Sequence, residues 1–338
     1  MIQPASAENP YDKSHVDSAP ILSVRGLTKY FDVSGSAVFR LFYGKRLIKA
    51  VDHISFNVFR GKTLALVGES GSGKSTTARL LARLLAADAG EVVFLGRDAL
   101  KVPAREMKAI RKELQIVFQD PFASLNPRMK VEELIGRSLT LHFGLRGETR
   151  NSKVVSLLEQ VGLSPEHAGR FPNELSGGQR QRVSIARALA SEPSLVLADE
   201  PVSSLDVSIQ AQVLQLLQEL KLRYHLSMIF ITHDLSVAEY IADQVAVMYS
   251  GKLMEIGPVD QILQRPLHPY TTALLDARPK LNRRGAWHLL QGEPVIPLNP
   301  PQGCRFAARC PLRIAACTEG DIPIVEKSPG HHVACLRV

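Results

Sequence analysis

"TLALVGESGSGKSTTARLL", Thr63 to Leu81, decides how the rest of this 338-residue chain is read. A short apolar run of buried-strand character enters a glycine-rich turn. A helical pattern follows, with Leu80, Leu81, Leu84 and Leu85 at spacings of three and four. The turn matches G-x-x-x-x-G-K-[ST], and its place between strand and helix makes the pattern a phosphate-binding loop. The glycines let the backbone wrap around a phosphate without Cβ clashes. Successive N–H groups and the helix N-terminus then face the anion. Gly68, Glu69, Ser70, Gly71, Ser72, Gly73, Lys74, Ser75 and Thr76 are therefore the candidate nucleotide cradle. Lys74 is expected to reach the β- and γ-phosphates, and the Ser75 hydroxyl to ligate Mg²⁺.

Such a loop needs a carboxylate at the end of a second buried strand, and "SLVLADE" (Ser194 to Glu200) supplies it. Asp199 falls at the strand end, where it can hold Mg²⁺ directly or through water. Glu200 follows at once, in position to polarise a water attacking the γ-phosphate. A lone Asp-Glu pair would be read as a solvated acidic patch; beside a phosphate loop it is read as catalytic.

Strand and helix signals alternate from about Ile21, which predicts an α/β domain. "LQIVFQ" (Leu114 to Gln119) and "MIFIT" (Met228 to Thr232) read as further strands, residues from about 120 to 190 as mostly helical, and "QVAVMYSGKLMEIG" as a hairpin turning at Ser250-Gly251. Beyond about Pro258 prolines become frequent, and a boundary is expected there. No apolar run approaches the roughly 18 residues of a membrane span. The Pro/Ser-rich start, residues 1–20, lacks the apolar core of a signal peptide and reads as a disordered tail on a cytoplasmic protein. The net charge of +8 is read as a basic surface. The basic residues Lys101, Arg105, Lys108, Arg111 and Lys112 resemble one solvated helix face and carry no nucleic-acid motif.

"LSGGQRQRVSIARAL", Leu175 to Leu189, opens a helix with a Ser-Gly-Gly turn, a second anion site remote from the first. Its core, Leu175, Ser176, Gly177, Gly178 and Gln179, resembles the signature of ATP-binding cassette (ABC) proteins. Over about residues 21–258 the chain resembles that family. The resemblance implies a P-loop NTPase fold: a RecA-like α/β core with an antiparallel β subdomain and a helical subdomain at about 120–190. It further implies that two cassettes sandwich ATP, each lending its signature to the other's nucleotide. By the same resemblance Gln119 is the Q-loop glutamine that senses Mg²⁺, Asp206 in "SSLD" marks the D-loop, and His233 is the switch histidine that contacts the γ-phosphate. Phe31 aligns with the aromatic that stacks on adenine, with Tyr30 as its alternative.

Soluble repair and chromosome ATPases of this family carry coiled-coil insertions or C-x-x-C zinc modules, and translation factors carry two cassettes per chain; this sequence has neither. A transporter motor is expected instead. "RPLHPYTTALLDARP" with "NPPQGCRFAARCPLRIAAC" resembles the C-terminal extension of oligopeptide/dipeptide/nickel importer ATPases, assigned here to residues 259–338. The insertion "SGSAVFRLFYGKRLIKAVDHISF" resembles the second of the two ATPase subunits in those importers. Its Phe39, Leu41 and Phe42 are expected to dock on a partner or the membrane face. The implied partners are a homologous ATPase, two integral membrane permeases and an extracytoplasmic substrate-binding protein, with no nucleic acid. The implied site is the cytoplasmic face of the inner membrane, and the implied work is peptide uptake, with nickel, glutathione or another small solute as the alternative cargo.

All four cysteines, Cys304, Cys310, Cys317 and Cys335, lie in this tail, at spacings C-x₅-C-x₆-C-x₁₇-C. A reducing cytoplasm disfavours disulfides. Structural zinc usually has close C-x₂₋₄-C pairs, whereas a [4Fe–4S] cluster takes four thiolates at wider corners. The importer family is associated with such a cluster at this place, which ranks [4Fe–4S] first and Zn²⁺ second, in a structural role.

Overall fold

The computed structural model describes residues 19–34, 45–277, 298–300 and 302–338. The expected N-terminal tail up to residue 18 lies outside them, as do Phe39, Leu41 and Phe42 of the insertion.

Two sheets organise the chain. The first is antiparallel. It is built from β1 (Leu22–Asp32) and β2 (Leu47–Val58), with β4 (Ala89–Phe94) and β5 (Arg97–Asp98), in the order β2-β1-β4-β5. The second holds β3 (Thr63–Val67), β6 (Leu114–Val117), β7 (Leu195–Asp199), β8 (Ser227–Thr232), β9 (Gln244–Tyr249) and β10 (Lys252–Pro258). Two short C-terminal strands, β11 (Val325–Ser328) and β12 (His331–Val333), complete it in the order β11-β12-β10-β9-β3-β8-β7-β6. From β9 to β6 the pairing is parallel; β10 turns back on β9 through Ser250 and Gly251, both at positive φ.

The period of two along each parallel strand explains why the sheet can be covered on both faces. Leu64 and Leu66 of β3 join the core beneath the antiparallel sheet, with Val24, Phe56, Ile229 and Ile231. Ala65 and Val67 face the other way, onto Val245, Val247, Tyr249, Tyr270 and Phe306. Toward the β6 edge, the helices Val131–Phe143, Gly147–Gln160 and Gly177–Leu189 pack Leu134, Ile135, Leu139, Val154, Leu158 and Val183 into one core with Val117, Val196 and Phe230 of the sheet. These helices carry the stretch read as helical from sequence.

The segment after Pro258 folds back onto the β10 edge. It opens with the helices Val259–Gln264 and Pro269–Asp276, and its β12 pairs with β10 through Glu255↔Val333 and Ile256↔His332. Glu255 is fully buried. Its carboxylate accepts from the amides of Leu267 (2.8 Å) and His268 (3.0 Å) and meets His331 Nε2 at 2.7 Å. Those partners are why a carboxylate survives in this interior. Glu255→Ala is expected to destabilise the protein by about 3–5 kcal/mol, because it strands three buried polar groups. Chemical denaturation of the variant measures this directly, and a loss below 1 kcal/mol would show that the anchor is not structural.

Candidate functional site

The phosphate loop leaves β3 at Val67 and enters the helix Lys74–Leu81, whose N-cap is Gly73. Two glycines are required by close approach. A Cβ on Gly68 would stand 2.1 Å from the Met248 carbonyl oxygen, and one on Gly73, at φ +108°, 2.1 Å from that of Ala50. The loop is thus wedged between β9 and β2. Inside it lies the Lys74 ammonium, almost wholly buried. It donates to the carbonyls of Gly68 (2.7 Å) and Glu69 (2.8 Å) and to Ser72 Oγ (3.4 Å). Burial pulls its pKa below the ordinary lysine value, against the pull of Glu200, Asp199 and Glu69. This is a cation kept in place by loop carbonyls, with carboxylates nearby.

Ser75 Oγ donates to Asp199 Oδ1 at 2.8 Å. Burial raises the Asp199 pKa, the bond from Ser75 working against it. A hydroxyl and a carboxylate side by side are the hard oxygen donors that Mg²⁺ takes, so the pair fits that ion.

Three residues far apart in sequence meet at the next strand ends. Glu200 follows β7 directly, His233 follows β8, and Gln119 lies just past β6. Gln119 Nε2 donates to Glu200 Oε2 at 3.3 Å, and His233 Nδ1 lies 3.3 Å from the same oxygen. Glu200 adopts the left-handed region at φ +44°, which is unusual for a residue with a side chain. Its amide donates to the Ile231 carbonyl (3.1 Å) and its carbonyl accepts from Ser203 Oγ (3.1 Å), so the turn that presents the carboxylate is fixed. All these groups sit at the carboxyl ends of parallel strands, where ligands of open α/β sheets bind.

Elsewhere the candidates divide. Ser176 caps the helix Gly177–Leu189: its Oγ accepts from the Gln179 amide, and the Gln179 side chain accepts from the Ser176 amide at 2.9 Å. Among the described residues none of the hydrogen bonds of Ser176 to Gln179 reaches the phosphate loop. Leu175 is buried, and Gly177 and Gly178 lie against Leu205 and Ile209. Asp206 caps the following helix, accepting from the Ile209 amide (3.0 Å) and Ser208 Oγ (2.8 Å), which lowers its pKa. Phe31 and Tyr30 lie next to each other on β1. Lys29 stands over the Phe31 ring, while the Tyr30 hydroxyl donates to Asp52.

Sequence reasoning did not find the groups that join the C-terminal segment to this site. Arg309 grips the Glu69 carboxylate with both arms, at 2.8 and 3.1 Å, and Tyr270 Oη accepts from the Glu69 amide at 3.0 Å. Buried Arg305 pairs with Asp52, the carboxylate that also holds Tyr30. Burial alone would raise Asp52; hydrogen bonds from Tyr30 and His53 and the Arg305 charge bring it down to about 2. An arginine beside a cysteine was the only local trace of these links.

The four cysteines are free thiols gathered in one corner. The Cys304 amide donates to the Cys317 carbonyl (2.8 Å), an approach that needs Gly303, at φ +85°. Burial pushes Cys304 up to about 11, with the other three cysteines contributing in the same direction. The expectation of a bound metal is not met as a ready-made site. Among the described residues no group of three or more His, Cys, Asp or Glu is placed to hold a metal ion.

Residues 51–203 match the ABC transporter family model, and residues 254–317 match the oligopeptide/dipeptide transporter C-terminal region. The dipeptide transport ATP-binding protein DppF of Escherichia coli (strain K12) is 48% identical over 94% of this chain and 95% of its own length. The oligopeptide transport ATP-binding protein AppF of Bacillus subtilis (strain 168) is 47% identical over 93% and 96%. Among solved structures, the dimeric ABC transporter cassette MJ0796 superposes with a TM-score of 0.63 at 28% identity, covering 70% of this chain and 98% of that one.

Gly73→Ala is expected to abolish measurable ATP binding and to cost about 1–3 kcal/mol from backbone strain alone. Nucleotide titration together with thermal melting reads both, and wild-type ATP affinity in the variant would contradict the wedge.

Proposed function

The chain belongs to the ATP-binding subunits of peptide-type ABC transporters, and from that membership we propose that it hydrolyses ATP to drive uptake of di- or oligopeptides through membrane-embedded partners. The observation that carries the chemistry is the Glu200 carboxylate held between Gln119 and His233, beside the phosphate loop. The match of residues 254–317 to the oligopeptide/dipeptide region favours peptide cargo over nickel or glutathione, and favours a transporter over a nucleic-acid ATPase.

In this reading Gly68 to Thr76 cradle the phosphates, and Lys74 exchanges loop carbonyls for phosphate oxygens. Ser75, Asp199 and Gln119 would hold Mg²⁺, which would supply positive charge to the phosphates. Glu200 orients and deprotonates the attacking water, with His233 steadying the γ-phosphate side. Phe31 or Tyr30 stacks on adenine. Ser176 to Gln179 serve the nucleotide of a second, homologous cassette: their described hydrogen bonds run within the helix start and from Gln179 to His167, and a solved relative is described as dimeric. The D-loop around Asp206 lies beside that signature turn and faces the same partner.

The membrane partners are two permeases, fed by an extracytoplasmic binding protein, and the chain works at the cytoplasmic face of the inner membrane. No described helix is long and apolar enough to cross a membrane. Phe122, half exposed just after Gln119, would meet a permease there and tie Glu200 to permease movement.

Glu200→Gln is expected to keep ATP affinity within about twofold while hydrolysis falls by about 10²–10⁴, the usual worth of a general base. Phosphate release from the assembled transporter tests this, and undiminished turnover at this site would remove Glu200 from the chemistry.

We further propose that Cys304, Cys310, Cys317 and Cys335 hold a structural [4Fe–4S] cluster. Four thiols in one corner are the donor set such a cluster takes, and its ligated corners stand wider than the shell of a single ion. Anaerobic purification is expected to yield about four iron and four sulfide per chain; stoichiometric zinc without sulfide would overturn the assignment.

A further inference from the structure

The Cys-bearing segment and the phosphate loop share an ionic contact that the transport reading does not use. Glu69, the second residue of the loop, is fastened at three points. Its carbonyl accepts from Lys74 within the loop (2.8 Å). Its amide donates outward to Tyr270 Oη (3.0 Å), and its carboxylate receives the Arg309 fork at 2.8 and 3.1 Å. Both outer partners come from the chain after Pro258.

Those partners are themselves rigidly seated. Tyr270 and Phe306 are fully buried. Tyr249 packs on the Tyr270 ring at 4.7 Å and on the Phe306 ring at 5.4 Å between centroids. The Arg309 guanidinium lies over the Tyr249 and Phe306 rings at 5.8 and 6.0 Å and donates to Tyr249 Oη at 3.3 Å. Tyr249 ends β9, the strand next to β3, so the arginine is braced against the same sheet that launches the loop. A planar fork on a carboxylate fixes direction as well as distance.

A second grip acts independently. Buried Arg305 pairs with Asp52 on β2. The Asp52 amide donates to the Gly251 carbonyl (2.8 Å), and the neighbouring Ala50 carbonyl is the group against which Gly73 is wedged. One short stretch that begins and ends in cysteine thus bonds the start of the loop directly, through Arg309 and Glu69, and holds through Arg305 the strand β2 against which its other end is wedged.

We propose that Arg309 and Tyr270 are positioning residues for nucleotide binding: acting through Glu69, they hold the phosphate loop in its binding shape, so that ATP affinity depends on the docked C-terminal segment. This rests on Gly68 to Thr76 being the nucleotide cradle. Neither residue needs to touch ATP. A loop fixed from outside loses less freedom when the phosphates arrive, which is the general source of affinity through preorganisation.

The test uses the full chain, titrated with a fluorescent ATP analogue, with the melting midpoint of each variant recorded. Arg309→Gln is expected to raise the nucleotide Kd about five- to tenfold and Tyr270→Phe about two- to threefold, with midpoints above the assay temperature. Arg309→Lys keeps the charge without the fork and should fall between wild type and Arg309→Gln. Because the effect runs through Glu69, Arg309→Gln placed on Glu69→Gln should add almost nothing to the Glu69→Gln change. In the assembled transporter Arg309→Gln should raise KM for ATP and leave kcat within about twofold. If Arg309→Gln melts too low to assay, Glu69→Gln removes the same contact from the other side and must raise Kd alike. Wild-type Kd in Arg309→Gln, or additive effects in the double variant, would overturn the proposal and leave the cradle reading standing. Absence of binding by the wild-type chain would overturn the cradle reading itself.

Discussion

A buried ammonium is the constraint around which this protein is arranged. Lys74 carries its charge into the buried inside of its turn, where desolvation lowers its pKa. A lowered lysine pKa means that the folded state disfavours the charged form, so at neutral pH the group costs stability. Three oxygens of its own loop offset part of that cost. An incoming phosphate can offset more, which is how a destabilising group becomes a binding one. The rest of the fold keeps the loop open at that expense: glycines that admit the Met248 and Ala50 carbonyls, and a sheet that cannot slip without turning its side chains to the wrong face.

The parallel sheet converts one anion site into a reaction centre. Residues 119, 200 and 233 are remote in sequence, yet β6, β7 and β8 are neighbours that all point their carboxyl ends the same way. Each strand therefore delivers the residue just beyond it to the same rim. The left-handed turn at Glu200 is where regular geometry gives way, and it is held by bonds to Ile231 and Ser203. Backbone strain at that position is consistent with a carboxylate whose direction matters more than local ease.

What could be read from the sequence follows from how local each signal is. The phosphate loop, the Asp199 strand end, the Ser176 cap and the Ser250-Gly251 hairpin are contiguous patterns, each with its own physical cause, and the structure places the expected strand, cap or turn at each. Strand order was not legible, because β9 and β8 flank β3 through pairings that no short window contains. The last two strands were missed for a related reason: three or four residues paired at a sheet edge, with Glu255 at a position where a carboxylate argues against burial. The Arg309–Glu69 and Arg305–Asp52 pairs join residues 240 and 253 positions apart, and composition alone cannot match one charge to another at that range.

The cysteine corner gains a different meaning from these links. A cap that only protected a sheet edge could sit anywhere along β10 and would need no charges aimed inward. Here the chain between Cys304 and Cys310 sends Arg309 to Glu69 of the nucleotide loop and Arg305 to Asp52 of β2, while Phe306 between them fills the core shared with Tyr249 and Tyr270. Whatever fixes the thiols therefore also fixes the spacing of the two arginines. A short, proline-rich segment has little apolar surface with which to do this by itself. The tight Cys304–Cys317 backbone contact, possible only with glycine at 303, and the pairing of β12 with β10 supply the scaffold. On the proposal that the docked segment sets ATP affinity, thiol chemistry and ATP binding would be coupled through packing, although no cysteine lies among the candidate nucleotide ligands.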